Sequence, residues 1–301
     1  MNAIRKWKNQ SLSNKIFDVC NYIIMALVLV TCLYPLYNVV IVSFSSQVTG
    51  VYFWPKDFTL DPYKMVLSQK DVWVGYLNTV LYTVGAVLAG LAVTLPCAYA
   101  LSRQDFIGGG LVMKLMMVTM FIGGGLVPSY LNMNRLGLLN TRWVVILIGL
   151  MSTYNVIIAR TFFRTTIPDE LLEATQMDGC GNGKFFMTMV LPLSKPIIAV
   201  LALYAGVAQW NSYFPEMIYL RDYDKFPVTL VLRRYLSTIE TLEDMISNGL
   251  IDDVDAALNT VQLATVMQYC LIIITTLPML IIYPFIQKYF AKGVMIGSVK
   301  G

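Results

Sequence analysis

Residues 168–196 read PDELLEATQMDGCGNGKFFMTMVLPLSKP, and this polar stretch between two long apolar segments decides how the rest of the chain is read. Pro168 followed by Asp169 and Glu170 marks a helix start, because proline fits a first turn and acids there meet the positive end of the helix dipole. Leu171, Leu172, Ala174 and Met177 then fall on overlapping i, i+3 and i, i+4 rows, with Glu170, Glu173 and Gln176 opposite. Gly179 is placed to end that helix at a positive φ. Asn182-Gly183 supplies a further turn, and a shorter helix is predicted over 184–190, ending before Pro192. A compact amphipathic hairpin on one side of an apolar chain is a surface offered to a partner. The plainer reading is a loop that packs only against its own bundle.

Outward from this stretch the chain is a membrane protein. Of its 301 residues 57% are hydrophobic and 13% charged, against about 25% charged in soluble domains. The net charge of +4 comes from dispersed basic residues, which gives no case for nucleic acid. Histidine is absent, which removes histidine acid/base chemistry, Ser-His-Asp triads and most zinc sites. The five cysteines, Cys20, Cys32, Cys97, Cys180 and Cys270, have no paired spacing and read as small apolar residues. Apolar runs of about 20 residues predict six transmembrane helices, near 19–43, 76–100, 111–133, 142–163, 197–220 and 262–287. The fold class is therefore all-α and polytopic. The first run is too long for a signal peptide and lacks a small-residue cleavage site, so it is expected to be retained.

Lysine and arginine in short loops set the orientation. With the N-terminus inside, Arg5, Lys6, Lys8, Arg103, Arg160, Arg164, Lys184 and Lys195 are cytoplasmic, while Lys56, Lys64, Arg135, Arg142, Arg221 and Arg233 lie in longer outer loops. Both termini and the 168–196 hairpin are then expected in the cytoplasm.

The hairpin resembles the "EAA loop" of ABC-importer permeases: EAA, three residues, G, nine residues, I, one residue, L, P. Glu173-Ala174-Thr175, Gly179 and Leu191-Pro192 keep every gap, with Thr175 in place of the second alanine and Met189 in place of isoleucine. Asp178-Gly179 and Phe185 are similar to the carbohydrate-uptake, maltose-type MalG branch. MFIGGGLVPSYL (120–131) followed by LGLLNT (136–141) resembles the LplC-like subgroup from Gram-positive bacteria, importers of plant-polysaccharide oligosaccharides. The resemblance implies the MetI-like permease fold, in a plasma-membrane complex of a second homologous permease, two ATPase subunits and an extracytoplasmic sugar-binding lipoprotein. It implies that Glu173, Ala174, Thr175, Asp178, Gly179, Leu191 and Pro192 couple the ATPase to the membrane helices. It also implies that the tail, with Met295, Gly297 and Lys300, reaches between the ATPase subunits. The domains expected are a cytoplasmic segment 1–15, a first helix and outer loop 16–75, the permease core 76–290 and the tail 291–301.

Gly179-Cys-Gly-Asn-Gly-Lys184 is not a Walker A motif. Only three residues separate Gly179 from Gly183, and Phe185 replaces the hydroxyl that would hold magnesium. ATP and magnesium are thus expected on partner subunits, with no cofactor on this chain. For the substrate path the expected residues are Asn155, Gln209, Trp210, Asn211 and Tyr213. Amides hydrogen-bond sugar hydroxyls and an indole offers a ring face; the alternative is that the amides bond neighbouring helices.

FIGGGLV occurs twice, at 106–112 and 121–127. The first copy reads as a loop. In the second, three glycines inside a span either allow close helix contact, the default, or break the helix beside a cavity. The outer segment 221–260 reads as a long loop carrying Glu240, Glu243, Asp244, Asp252, Asp253 and Asp255; it is either a solvated face or, by the resemblance, where the sugar-binding protein docks. An ion- or proton-coupled carrier is the competing class. It needs a buried titratable relay, and the only span acids are Asp18 and Glu216, near the ends.

Overall fold

The structure, a computed structural model, describes residues 11–46, 53–251 and 253–298, with the side chains of 285–298 excepted. Among these residues there are helices and no strands. In order they are α1 (Leu12–Ser43), α2 (Asp61–Ser68), α3 (Lys70–Ser102), α4 (Gly109–Phe121), α5 (Leu126–Arg135), α6 (Arg142–Leu147), α7 (Thr153–Thr166), α8 (Asp169–Met177), α9 (Asn182–Leu193), α10 (Lys195–Trp210), α11 (Phe214–Tyr219), α12 (Val228–Ser247) and α13 (Val254–Ser298).

Three described helices, α1, α3 and α13, are long and apolar enough to cross a bilayer, and two bent pairs bring the number up to five. The expected count of six is therefore not met as continuous helices. The expected third span is broken: α4 and α5 meet at 114°. Among the described residues its glycines meet no second helix: a Cβ on Gly123 or Gly124 would find no atom within 4 Å, and one on Gly125 only Pro128 Cδ at 3.9 Å. They end the helix instead. The first FIGGGLV copy also differs from a plain loop, because α4 begins inside it at Gly109. The expected fourth span is split into α6 and α7, since Gly149 sits at φ +75°, a conformation that ends a helix.

The chain divides into two compact units. In the first, residues up to Ser68 join Tyr235–Ile274. There the Cys270 thiol donates to the Ser43 carbonyl at 3.3 Å and the Tyr63 hydroxyl donates to Ser43 Oγ at 2.8 Å. Phe44 stacks on Phe58 with ring centres 5.6 Å apart.

The second unit holds Gln69–Arg234 and the chain from Thr275 onward, and α3 is its central rod. At the Lys70 end, Asn78 Nδ2 donates to the carbonyls of Asp224 at 2.8 Å and Phe226 at 3.1 Å, and the Tyr82 hydroxyl donates to the Lys225 carbonyl at 2.8 Å. Thr79 Oγ1 accepts from the Val228 amide at 2.9 Å. These bonds satisfy the backbone of a short turn, Tyr223–Lys225, which would otherwise carry orphaned groups. The segment expected as a long outer loop is thus mostly helical, in α12 and the start of α13; Asp252 lies outside the described residues. At the other end of α3, Leu95, Ala98 and Leu101 join Val156, Ala159 and Phe163 of α7, Phe185, Phe186 and Val190 of α9, and Ile197 and Leu201 of α10 in one buried apolar cluster.

Candidate coupling elbow and helix-lined cavity

The elbow is α8, a turn and α9. Pro168, at φ −67° and ψ 142°, keeps the chain extended until Asp169 and Glu170 open α8. The helix stops in a two-bond closure: Gly179 N donates to Gln176 O and Cys180 N to Thr175 O, both at 2.9 Å. This paired pattern needs a left-handed residue between helix and exit, and Gly179 supplies it at φ +74°. The Thr175 hydroxyl turns back onto the carbonyls of Leu171 at 3.1 Å and Leu172 at 2.9 Å. A hydroxyl at the second alanine position is thereby satisfied within its own helix.

Two details of the elbow differ from the sequence reading. Leu171 and Leu172 pack on the apolar cluster, whereas Ala174 is exposed and Met177 is 90% exposed. The apolar row is therefore shared between an inner and an outer face. The second helix also starts earlier and runs further than 184–190. Asn182-Gly183 forms its first turn, and it passes through Pro192 to Leu193. Proline cannot donate and crowds the carbonyl four residues back. The helix accommodates this by widening over Phe186–Val190, where the Leu191 amide reaches back to Phe186 O. It then turns through 81° into α10.

Of the residues expected to couple, Glu173, Ala174, Asp178, Gly179 and Pro192 are exposed, and Thr175 and Leu191 are half-buried. Beneath the elbow lies a cleft of ≈ 330 Å³ whose lining includes Tyr99, Arg103, Gln104, Glu173 and Gln176. The Arg103 guanidinium forks onto Asp105, at 2.7 Å from Nε and 2.5 Å from Nη2. These bonds hold the Asp105 carboxyl below its ordinary range and raise Arg103 further above its own.

A larger cavity of ≈ 670 Å³ is enclosed by α3, the α6–α7 break and α10. Its polar lining is Thr94, Ser152, Asn155, Gln209 and Ser212, and its aromatic faces are Tyr154 and Tyr204. The break at 148–152 comes so close to α3 that a Cβ at Gly90 would stand 3.2 Å from the Leu150 carbonyl. Non-helical backbone at membrane depth is tolerated where it lines such a cavity. Gln209 is aimed by a fully buried acid: its Nε2 donates to Glu216 Oε1 at 3.0 Å, and Ser212 Oγ donates to Oε2 at 2.9 Å.

The structure thus brings together Asn155 and Gln209 but not the other three expected path residues. Trp210 is buried, donates from Nε1 to the Thr275 carbonyl at 3.0 Å and meets Tyr76 edge-on with ring centres 5.8 Å apart. With Asn211 it lines a separate cavity of ≈ 360 Å³ against 275–283. Adjacent residues on a helix lie about 100° apart around its axis, so Gln209 and Trp210 face different cavities. Tyr213 is exposed and lines neither. Sequence reasoning missed Tyr204 and Ser212, which no local pattern marks: Tyr204 is five residues, about 140° around the helix axis, from Gln209, and Ser212 lies beyond the end of α10. Of the tail, Met295 and Gly297 lie in α13, and Lys300 is outside the described residues.

No family model matches the chain. Protein LplC of Bacillus subtilis (strain 168) is 36% identical over 294 residues, covering 96% of each chain. The polygalacturonan/rhamnogalacturonan transport system permease protein YtcP of the same organism is 34% identical over 96% of this chain and all of its own length. The arabinooligosaccharides transport system permease protein AraQ of Halalkalibacterium halodurans is 26% identical over 89% of this chain and 91% of its own. Among solved structures, a chain of a bacterial ABC transporter involved in the import of the acidic polysaccharide alginate superposes with a TM-score of 0.81 at 30% identity, covering 93% of this chain and 99% of that one. Together with the helical architecture and the hydrophobic spans, these similarities make the chain a multi-pass membrane protein that belongs to the permease subunits of ABC sugar importers.

Proposed function

We propose that the chain forms half of the translocation path of a plasma-membrane importer, carrying an oligosaccharide handed over by an extracytoplasmic sugar-binding lipoprotein. A second homologous permease supplies the other half. Two separate ATPase subunits hold ATP and magnesium and grip the elbow from the cytoplasm, where both termini also lie; the cell is a Gram-positive bacterium. Closure of the ATPase pair pushes Glu173, Ala174, Thr175, Asp178 and Gly179, and Leu191-Pro192 passes that displacement into α10. Met295, Gly297 and Lys300 extend the ATPase contact. Asn155, Gln209, Tyr154 and Tyr204 line the sugar's route with amides and ring faces, and α12 with Glu240 and Glu243 meets the binding protein.

The observation that carries this reading is the outer face of α8. A thioether 90% exposed at Met177, on a turn closed by two backbone bonds, is a rigid apolar knob with nothing among the described residues to cover it. The test is cross-linking of a Met177→Cys variant to the ATPase subunits in the assembled complex, with uptake of a plant-polysaccharide digest followed in parallel. Cross-links that form with the ATPase and change with added ATP support the reading. A thiol at this position that labels equally with and without the ATPase present refutes it.

A further inference from the structure

We infer that α3 is driven by the elbow through a polar strap, and that Arg103 is the positioning residue of that strap. This rests on the elbow being the ATPase-gripped element. The covalent chain joins the elbow only to α7 and α10; α3 has no backbone link to it. Yet Ala86, Gly90, Leu91 and Thr94 of α3 form one wall of the ≈ 670 Å³ cavity. Motion at the elbow reaches that wall only across non-covalent contacts.

Those contacts are of two kinds. The apolar cluster of Leu95, Ala98 and Leu101 with Phe185, Phe186 and Val190 is held by burial, which is non-directional. The polar contacts fix register. Arg103 Nη1 donates to Asn182 Oδ1 at 3.3 Å, at the first residue of α9, and to the Tyr99 hydroxyl at 3.2 Å one turn back on α3. Gln104 Nε2 donates to Asp169 Oδ2 at 3.0 Å, at the first residue of α8. One dipeptide thus holds the starting residue of both elbow helices. Asp105 stiffens the strap by taking the remaining face of the guanidinium, whose side chain is only 11% exposed. Arg160 Nε anchors the same end of α3 by donating to the Leu101 carbonyl at 2.8 Å. Arg103 directly follows the last residue of α3, and Thr94 to Ser102 is nine residues of continuous helix, roughly 12 Å at about 1.5 Å per residue. A shift of the elbow is carried along that rod to the cavity wall.

The test replaces the strap with a covalent one. In a cysteine-free version of the complete complex in nanodiscs, Arg103→Cys with Asn182→Cys removes the polar contact, and a short bis-methanethiosulfonate reagent then bridges the two thiols reversibly. The readout is ATP hydrolysed with and without binding protein loaded from a plant-polysaccharide digest. Loss of a hydrogen bond to a charged group is expected to reduce binding-protein stimulation about tenfold in the unbridged pair. Bridging restores it and reductant removes it again. A merely structural arginine would not be rescued by a bridge.

An unbridged pair that is stimulated like the parent overturns the strap, as does a bridge that leaves stimulation low. The Met177→Cys cross-link to the ATPase, run on the same preparation, separates the two claims. If that cross-link is lost, the elbow reading has failed. If it persists while bridging has no effect, only the strap has failed.

Discussion

Gly179 is the position where local physics and coupling can be pulled apart. Its φ is +74° and a Cβ built on it meets nothing within 4 Å, so a side chain there costs backbone strain and no clash. For alanine in the left-handed region that strain is roughly 1–2 kcal/mol, a shift of about 5- to 30-fold in the population of the closed turn. Asparagine and aspartate visit this region more readily, so Gly179→Asn and Gly179→Asp keep the turn. Aspartate also adds a charge beside the exposed Asp178, on the face proposed to meet the ATPase. Amide exchange at Cys180, which donates to Thr175 O, reads the turn directly, while uptake and binding-protein-stimulated ATP hydrolysis read coupling. The expected order of exchange is Gly179→Ala fastest, with Gly179→Asn and Gly179→Asp near the parent. Uptake is expected to be abolished in Gly179→Asp, with membrane insertion intact. Wild-type uptake by Gly179→Asp would refute the docking face; equal exchange in Gly179→Ala and Gly179→Asn would refute the backbone argument.

Three further outcomes are expected. Trp210→Phe keeps the ring against Tyr76 but removes the bond that the indole donates to the Thr275 carbonyl, so thermal unfolding of the complex falls by the equivalent of about 1 kcal/mol, while the relative uptake of competing sugars stays unchanged; altered sugar preference would put Trp210 in the path. Tyr204→Ala and Gln209→Ala act on the other cavity, and each is expected to raise the uptake KM severalfold; Gln209→Ala also costs roughly 1–3 kcal/mol of stability, because the buried Glu216 loses a donor, and an unchanged KM in both excludes that cavity from the route. Arg103 lowers the Asp105 carboxyl, so the stabilisation is present above the ordinary aspartate value of about 3.9 and is lost as pH falls through the lowered one. Asp105 should therefore contribute no pH step to coupling between about 5 and 8, and a pH step in that window that Asp105→Asn removes would contradict the assignment.

The elbow was legible because its determinants are local. Pro168, the acids after it and Gly179 each act within one turn of helix, through φ limits and backbone bonds that do not depend on the rest of the fold. The spans were legible as hydrophobic runs for a related reason: burial in lipid is set by side-chain polarity along the chain. The apolar runs by themselves thus determined an all-helical membrane protein, and one gapped motif picked out the elbow.

What the chain's order could not decide is which helices close on one another. Three glycines at 123–125 are compatible with packing or with a break, and the choice depends on whether a neighbouring backbone is near enough to need them; none is within 4 Å of Gly123 or Gly124. Gln209 and Trp210 are equally polar-capable neighbours in sequence. Only the placement of Glu216 beside one and the Thr275 carbonyl, 65 residues away, beside the other assigns them to different cavities. Asn78 finds its acceptors 146 and 148 residues downstream, and Arg103 reaches Asn182 across 79 residues. Such partners are selected by the packing of whole helices, whose geometry is fixed by side chains no local window contains.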